Sequence, residues 1–107
     1  MACVYIYHSY KLNEGKSEQE FIRAAEKFSN EPGLKTKGFI SWTLINDGEM
    51  WADILVYESM DDFKNASEKI HEIPSVHELT SFFDNASITE HIFTVAASTS
   101  RFAGGVS

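Results

Sequence analysis

The chain has 107 residues, which is the length of one domain, because two domains would each be too small to close a hydrophobic core. It carries 16 acidic and 9 basic residues, and its net charge is −7. We therefore expect no nucleic-acid partner and no membrane partner, since phosphates and anionic lipids both require a basic surface. The sequence has no recognisable signal peptide and no apolar run of about 18 residues, so we expect a cytoplasmic location.

The first half of the chain predicts a strand, a helix and a hairpin. Val4–Tyr10 is rich in β-branched and aromatic residues, which favours a strand. Ser17 and Glu20 have the spacing of a capping box, and the apolar residues that follow repeat at helical spacing. Two further strands, Phe39 to Ile45 and Met50 to Tyr57, flank a Gly-containing turn, which predicts a hairpin.

The second half predicts a second helix and a fourth strand. Ser59 begins another capping-box pattern, and Pro74 interrupts the helical spacing that follows it. The segment from Ile88 to Val95 is the fourth predicted strand. We assign residues 1–96 to the domain and residues 97–107, which are rich in Ser, Gly and Ala, to a flexible C-terminal tail.

The resulting order, β-α-β-β-α-β, predicts the ferredoxin-like α+β fold: a four-stranded antiparallel sheet with two helices on one face. The strands do not alternate between apolar and polar residues, so both faces of the sheet require cover. The helices can cover one face only. We therefore expect a homodimer in which the sheet of a second copy covers the other.

The chain resembles a known superfamily. Gly48 in the turn, Trp51 in the third strand, the Tyr57-x-Ser59 exit and Ala66 in the second helix are similar to features of antibiotic-biosynthesis-monooxygenase-like domains of the dimeric α/β-barrel superfamily. The resemblance extends over residues 4–95. It implies the dimeric barrel fold, but the superfamily contains several chemistries, including cofactor-independent oxygenases that act on polycyclic phenols and enzymes that degrade haem.

The resemblance and the histidine spacing both favour a site without a cofactor. His8 and Tyr57 stand where the haem-degrading branch has Asn and Trp, which disfavours haem. His71 and His77 are six residues apart, whereas a helical metal pair requires a spacing of four. No Gly-rich loop fits a dinucleotide. We expect neither a metal nor an organic cofactor.

Asp53 and His8 are the candidate catalytic residues. Asp53 lies in the middle of the third strand, where a buried carboxylate needs a partner. The ferredoxin-like order places the first strand beside the third, so that Asp53 can orient the imidazole of His8 as a general base. The alternative is a structural pair without catalysis. Four further residues are candidates for binding a substrate: Trp51, Tyr57, Phe82 and His91.

Two functions remain open from the sequence. The first is a cofactor-independent, monooxygenase-like enzyme that binds a small aromatic or enolic substrate in a pocket between the sheet and the helices. The second is a non-catalytic homodimer that binds a small ligand or has a structural role. A cavity of roughly 300 Å³ or more that contains a His or Asp would favour ligand chemistry, and a filled core would favour the second function.

Overall fold

The computed structural model describes residues 3–99, and these residues form one α+β unit. The strands are β1 (Val4–Tyr10), β2 (Phe39–Asn46), β3 (Trp51–Tyr57) and β4 (Thr89–Thr94). The helices are α1 (Glu18–Ser29), α2 (Met60–Ile70) and α3 (Pro74–Thr80), and a short 3-10 helix covers Asn85–Ser87. Residues 100–107 of the predicted tail lie outside the described part of the chain.

The four strands form one antiparallel sheet in the order β2-β3-β1-β4. This order confirms the predicted ferredoxin-like fold, in which the first and third strands are central neighbours. In the β1–β3 ladder Val4 faces Tyr57, Ile6 faces Leu55 and His8 faces Asp53. Directly opposed residues share a face of the sheet, so these pairs all lie on the face that the helices cover.

The helices begin where the capping patterns predict. The Ser17 hydroxyl accepts a hydrogen bond from the backbone N–H of Glu20 at 3.3 Å, and the Ser59 hydroxyl accepts one from that of Asp62 at 3.1 Å. Pro74 is the first residue of α3, a position where the missing N–H costs no hydrogen bond. The second helical region therefore consists of two helices, α2 and α3, with the interruption at Pro74 that the sequence predicts.

The β2–β3 hairpin closes through the side chain of Asp47. Its carboxylate accepts hydrogen bonds from the backbone N–H groups of Glu49 at 2.9 Å and Met50 at 2.7 Å. Hydrogen bonding from Met50 first, and then from Glu49, lowers the pKa of Asp47 below its ordinary value. Gly48 has a φ of 95°, which only glycine adopts without strain.

An aromatic cluster around Phe21 of α1 forms one end of the core. Phe21 is fully buried, and its ring contacts that of Trp51 edge to face at a centroid distance of 5.0 Å. Tyr10 and Phe83 stack at 3.8 Å beside it. These contacts attach α1 and the segment after α3 to the end of β1 and the start of β3.

The opposite face of the sheet carries no helix within the described residues. Tyr5, Tyr7 and Ile54 lie on this face, because they alternate with the helix-facing residues of β1 and β3. Two large apolar side chains at its margins are exposed: Ile45 by 45% and Phe93 by 54%. This open face is the one for which the sequence predicts a partner.

Candidate functional site

One row of residues across the helix-facing side of the sheet brings three ionisable side chains together. In the registers of β1 with β3 and β4, His8 lies opposite both Asp53 and Glu90. The row therefore runs Asp53, His8, Glu90 over three adjacent strands. The strand order places the three strands side by side, and the registers of β1 with β3 and with β4 bring these residues opposite one another on one face.

The side chains of this row form a continuous hydrogen-bond network. His8 Nδ1 lies 3.2 Å from Asp53 Oδ1, and His8 Nε2 lies 2.6 Å from Glu90 Oε2. The hydroxyl of Tyr10 donates to the second oxygen of Asp53 at 3.1 Å. Each oxygen of Asp53 thus has a donor, and each ring nitrogen of His8 has a carboxylate.

This arrangement favours the protonated form of His8. Burial is the largest single influence and lowers the pKa of His8, but the hydrogen bonds and charges of Asp53 and Glu90 together outweigh it, so the pKa lies above its ordinary value of 6.5. Burial, with the nearby charge of Asp53, raises the pKa of Tyr10 far above the ordinary range. Tyr10 is therefore a neutral hydrogen-bond donor to Asp53 at physiological pH.

The network opens onto a cavity of about 450 Å³ between the sheet and the three helices. His8, Tyr10, Asp53 and Glu90 line its sheet side. Most of the remaining wall is apolar and includes Phe28, Leu55, Phe63, Val76, Leu79 and Phe83. A few convergent polar groups in an apolar cavity of this size are typical of a site for a small organic ligand.

A second polar patch lies on the helical side of the cavity. It consists of Ser67, His71 and Thr80. Ser67 and Thr80 donate their hydroxyls to the backbone carbonyls of Lys64 and His77, at 2.9 and 3.3 Å. Their oxygens can still accept a hydrogen bond, since a hydroxyl has two lone pairs. The patch can therefore orient a polar group on the part of a ligand remote from His8.

Three of the predicted substrate-binding residues do not line this cavity. Trp51 and Tyr57 are on the helix-facing side of β3, as their spacing from Asp53 predicts, but both are buried in the core at the ends of the strand. The hydroxyl of Tyr57 donates to the backbone carbonyl of Leu34 at 2.8 Å. Phe82 packs against Phe21 at 5.8 Å. Core packing occupies these three rings, which corrects the expectation that they project into the pocket.

His91 lies on the other face of the sheet. It is opposite Tyr7 in the β1–β4 ladder, and its ring stacks on that of Phe93 at 5.8 Å. The expectation that His91 binds a substrate in the cavity between the sheet and the helices is therefore wrong, because the sheet separates this side chain from the cavity. Glu90, one residue earlier, takes the place next to His8.

Glu90, Tyr10 and His71 line the cavity, but they are not among the residues that the sequence analysis names as site candidates. The period of two within β1 and β3 was sufficient to place Tyr10, which is two residues from His8 on the same face. Glu90 required the register of β4, which the sequence alone does not specify. His71 follows the last residue of α2, where helical periodicity no longer predicts a direction.

Within residues 3–99, no group of three or more His, Cys, Asp or Glu side chains could hold a metal ion. No helix in the same residues is long and apolar enough to cross a membrane. The cavity wall named above contains no lysine or arginine. The chemistry available to a ligand there consists of the imidazole of His8, the carboxylates, the Tyr10 hydroxyl and the helical polar patch.

Comparison with solved structures identifies the fold. The chain is similar to a mutant form of SnoaB of Streptomyces nogalater, a cofactor-independent oxygenase, at 19% identity and a TM-score of 0.65, over 90% of this chain and 95% of that one. It is also similar to a dimeric ferredoxin-like protein from an uncultured marine organism, at 14% identity and a TM-score of 0.74, over 95% of each chain.

A third similar structure is a Nitrosomonas europaea protein provisionally named an antibiotic biosynthesis monooxygenase, at 11% identity and a TM-score of 0.71, over 88% of this chain and 90% of that one. No protein-family profile and no curated protein matches the chain. These similarities show the fold alone: it is the ferredoxin-like α+β fold that the resemblance seen in the sequence implies.

Proposed function

We propose that the protein is a cofactor-independent, monooxygenase-like enzyme that binds a small phenolic or enolic substrate in the cavity between the sheet and the helices. The observation that carries this proposal is the position of His8, whose imidazole is held by Asp53 at the wall of an otherwise apolar cavity of about 450 Å³. A structural pair needs no such cavity. The similarity of the fold to SnoaB, a cofactor-independent oxygenase, also supports it.

In the proposed reaction His8 is the general base. The neutral imidazole takes a proton from an acidic O–H or C–H of the substrate, and Asp53 stabilises the imidazolium that forms. The carbanion-like substrate then reacts with O₂. When a CH₂ group becomes a carbonyl, the substrate supplies four electrons, one oxygen atom enters the carbonyl and the other leaves as water. Atoms and electrons balance without an external reductant.

The test uses anthrone, a planar tricyclic ketone whose central CH₂ group is enolisable, and measures oxygen uptake by the purified protein. We expect uptake above the uncatalysed rate, and we expect His8→Gln to abolish it because the base is lost. His77→Gln is the matched control, since His77 is not part of the cavity wall. Equal rates for wild type and His8→Gln would refute the role of His8.

A second candidate is a non-catalytic ligand-binding protein. The observation that favours it is that carboxylates occupy both ring nitrogens of His8, so the network satisfies itself without a substrate. This function predicts that anthrone binds without oxygen uptake. Binding with equal occupancy in wild type and His8→Gln, together with no uptake in either, would select it over the enzyme.

We also infer a homodimer that is formed through the open face of the sheet. Exposed Phe93 and Ile45, with Tyr5, Tyr7 and Ile54 between them, make this face apolar, and a stable interface of this kind buries about 1,500 Å² or more in total. The similar ferredoxin-like protein from a marine organism is dimeric. Sedimentation at micromolar concentration tests the inference, and a monomer would contradict it.

A further inference from the structure

The two carboxylates that contact His8 are not equivalent. The Asp53 side chain is 10% exposed, and both of its oxygens accept hydrogen bonds, from Tyr10 and His8. The Glu90 side chain is 52% exposed and lies on the edge strand β4. Among the described residues, His8 is the one side chain that bonds the Glu90 carboxylate. Asp53 is therefore fixed, whereas Glu90 can rotate toward water at the loss of a single contact.

Glu90 is also hydrogen-bonded to the ring nitrogen of His8 that a substrate must contact. Nδ1 of His8 is directed to buried Asp53, which leaves Nε2 as the nitrogen available to a ligand in the cavity. Glu90 Oε2 lies 2.6 Å from this atom, which is the length of a strong, charge-assisted hydrogen bond. A ligand hydroxyl and Glu90 cannot both take this position, so binding at His8 requires that Glu90 leave.

The charges around the cavity restrict which ligand can displace Glu90. The titratable groups that line the cavity with His8 are Tyr10, Asp53 and Glu90 from the sheet and His71 from the end of α2. With His8 protonated, the network has one positive and two negative charges. A ligand carboxylate at Nε2 adds a third negative charge beside Asp53 and the displaced Glu90, whereas a neutral hydroxyl adds none.

We propose that Glu90 is a positioning and specificity-determining residue. In the empty cavity its carboxylate is hydrogen-bonded to Nε2 of His8, and the hydroxyl of a neutral ligand displaces it from this nitrogen. A ligand that carries a carboxylate in the same place is excluded. The proposal deepens the proposed function and rests on it for the identity of the ligand site. Its first part concerns the protein without a ligand and is tested independently.

The first experiment follows the pKa of the His8 imidazole by NMR titration of wild type, Glu90→Gln and Glu49→Gln. We expect this pKa to fall in Glu90→Gln, because the amide removes a negative charge and a strong acceptor from Nε2. Glu49→Gln removes the same charge from a side chain that is 80% exposed and does not line the cavity, so His8 should not respond. An unchanged pKa in Glu90→Gln overturns the proposal.

The second experiment compares 2-naphthol with 2-naphthoate, which have the same aromatic body and differ in a neutral hydroxyl against a carboxylate. Calorimetry at pH 7.5 should show that wild type prefers 2-naphthol, and Glu90→Gln should narrow this preference by about tenfold. The anthrone rate of Glu90→Gln should reach half its maximum at a lower pH than the wild-type rate. A structural role alone would not shift this midpoint.

The outcomes separate this proposal from the proposed function. Equal affinity of wild type for the two naphthalenes, or an unchanged preference in Glu90→Gln, overturns the specificity role of Glu90 even when His8 oxidises anthrone. If neither naphthalene binds, the ligand class is wrong. If anthrone is not oxidised but the His8 pKa falls and the preference narrows in Glu90→Gln, the enzyme is refuted while Glu90 retains its role in a ligand-binding protein.

Discussion

Replacing Asp53 by Asn tests the strength of the charge interaction at the centre of the site. The substitution keeps the size of the side chain and an oxygen that can accept from Tyr10, but it removes the negative charge 3.2 Å from His8 Nδ1. A hydrogen bond to a charged group contributes about 1.5–3 kcal/mol to stability. Because His8 is 28% exposed and solvent screens part of the interaction, we expect Asp53→Asn to lower the free energy of unfolding by about 1–2 kcal/mol near pH 6.

The pH dependence of this loss follows from the pKa of His8. Folding raises this pKa above the ordinary value of 6.5. The stabilisation is therefore fully present below about pH 6.5 and is lost as the pH rises through the higher pKa of the folded protein. The difference in free energy of unfolding between wild type and Asp53→Asn should be largest near pH 6 and smaller at pH 9, where mainly the Tyr10 hydrogen bond remains affected.

Urea unfolding at pH 6 and pH 9, at one fixed protein concentration, measures this difference. The concentration must be held constant because the apparent stability of a dimer depends on it. Glu49→Gln removes a charge from the surface and should change the free energy of unfolding by less than about 0.5 kcal/mol at both pH values. A loss in Asp53→Asn that is equal at both pH values, or larger at pH 9, would refute the proposed coupling between Asp53 and His8.

Three further predictions concern the fold and the open face. Phe21→Ala should lower the free energy of unfolding by about 3–5 kcal/mol in urea, since the ring is fully buried among other aromatic rings, and a loss under about 1 kcal/mol would contradict the described core. Ser17→Ala should cost about 1 kcal/mol through loss of the α1 cap, and Ser17→Asn should recover most of it; no difference between the two would reject the cap. Phe93→Glu should shift the sedimenting species from dimer to monomer, whereas Ile92→Glu, one residue away on the other face, should leave a dimer. The same oligomeric state in both variants would argue against the open face as the interface.

Most of the fold could be predicted because its signals are local. The caps at Ser17 and Ser59 and the Asp47-Gly48 turn each act within a few residues, and the structure has all three. The strand order then followed from the connection rules of the fold. The proximity of His8 and Asp53 came from this order together with the period of two, and the structure places the two side chains in contact.

The parts of the site that could not be predicted depend on long-range register and packing. A shift of one residue in β4 exchanges the faces of Glu90 and His91, and nothing within the strand itself specifies which of them lies beside His8. Trp51 and Tyr57 lie on the face that the period of two predicts, but both are packed in the core. Trp51 packs against Phe21 of α1, and the hydroxyl of Tyr57 donates to the backbone carbonyl of Leu34. Periodicity identifies a face of the sheet, and the helix positions determine where a cavity remains on it.

The transfer of a proton from a ligand to His8 is tested most directly by the ionisation of a bound chromogenic phenol, because the transfer leaves an imidazolium–phenolate ion pair. 4-Nitrophenol absorbs at a longer wavelength as the phenolate, so its spectrum at a fixed pH near 6.5 gives the ionised fraction when it is bound at saturation. We expect a larger phenolate fraction on wild type than on His8→Gln, because the imidazolium of His8, which Asp53 stabilises, pairs with the phenolate and the neutral glutamine cannot. Equal phenolate fractions on the two proteins would show that His8 does not stabilise the ionised ligand and is not the base.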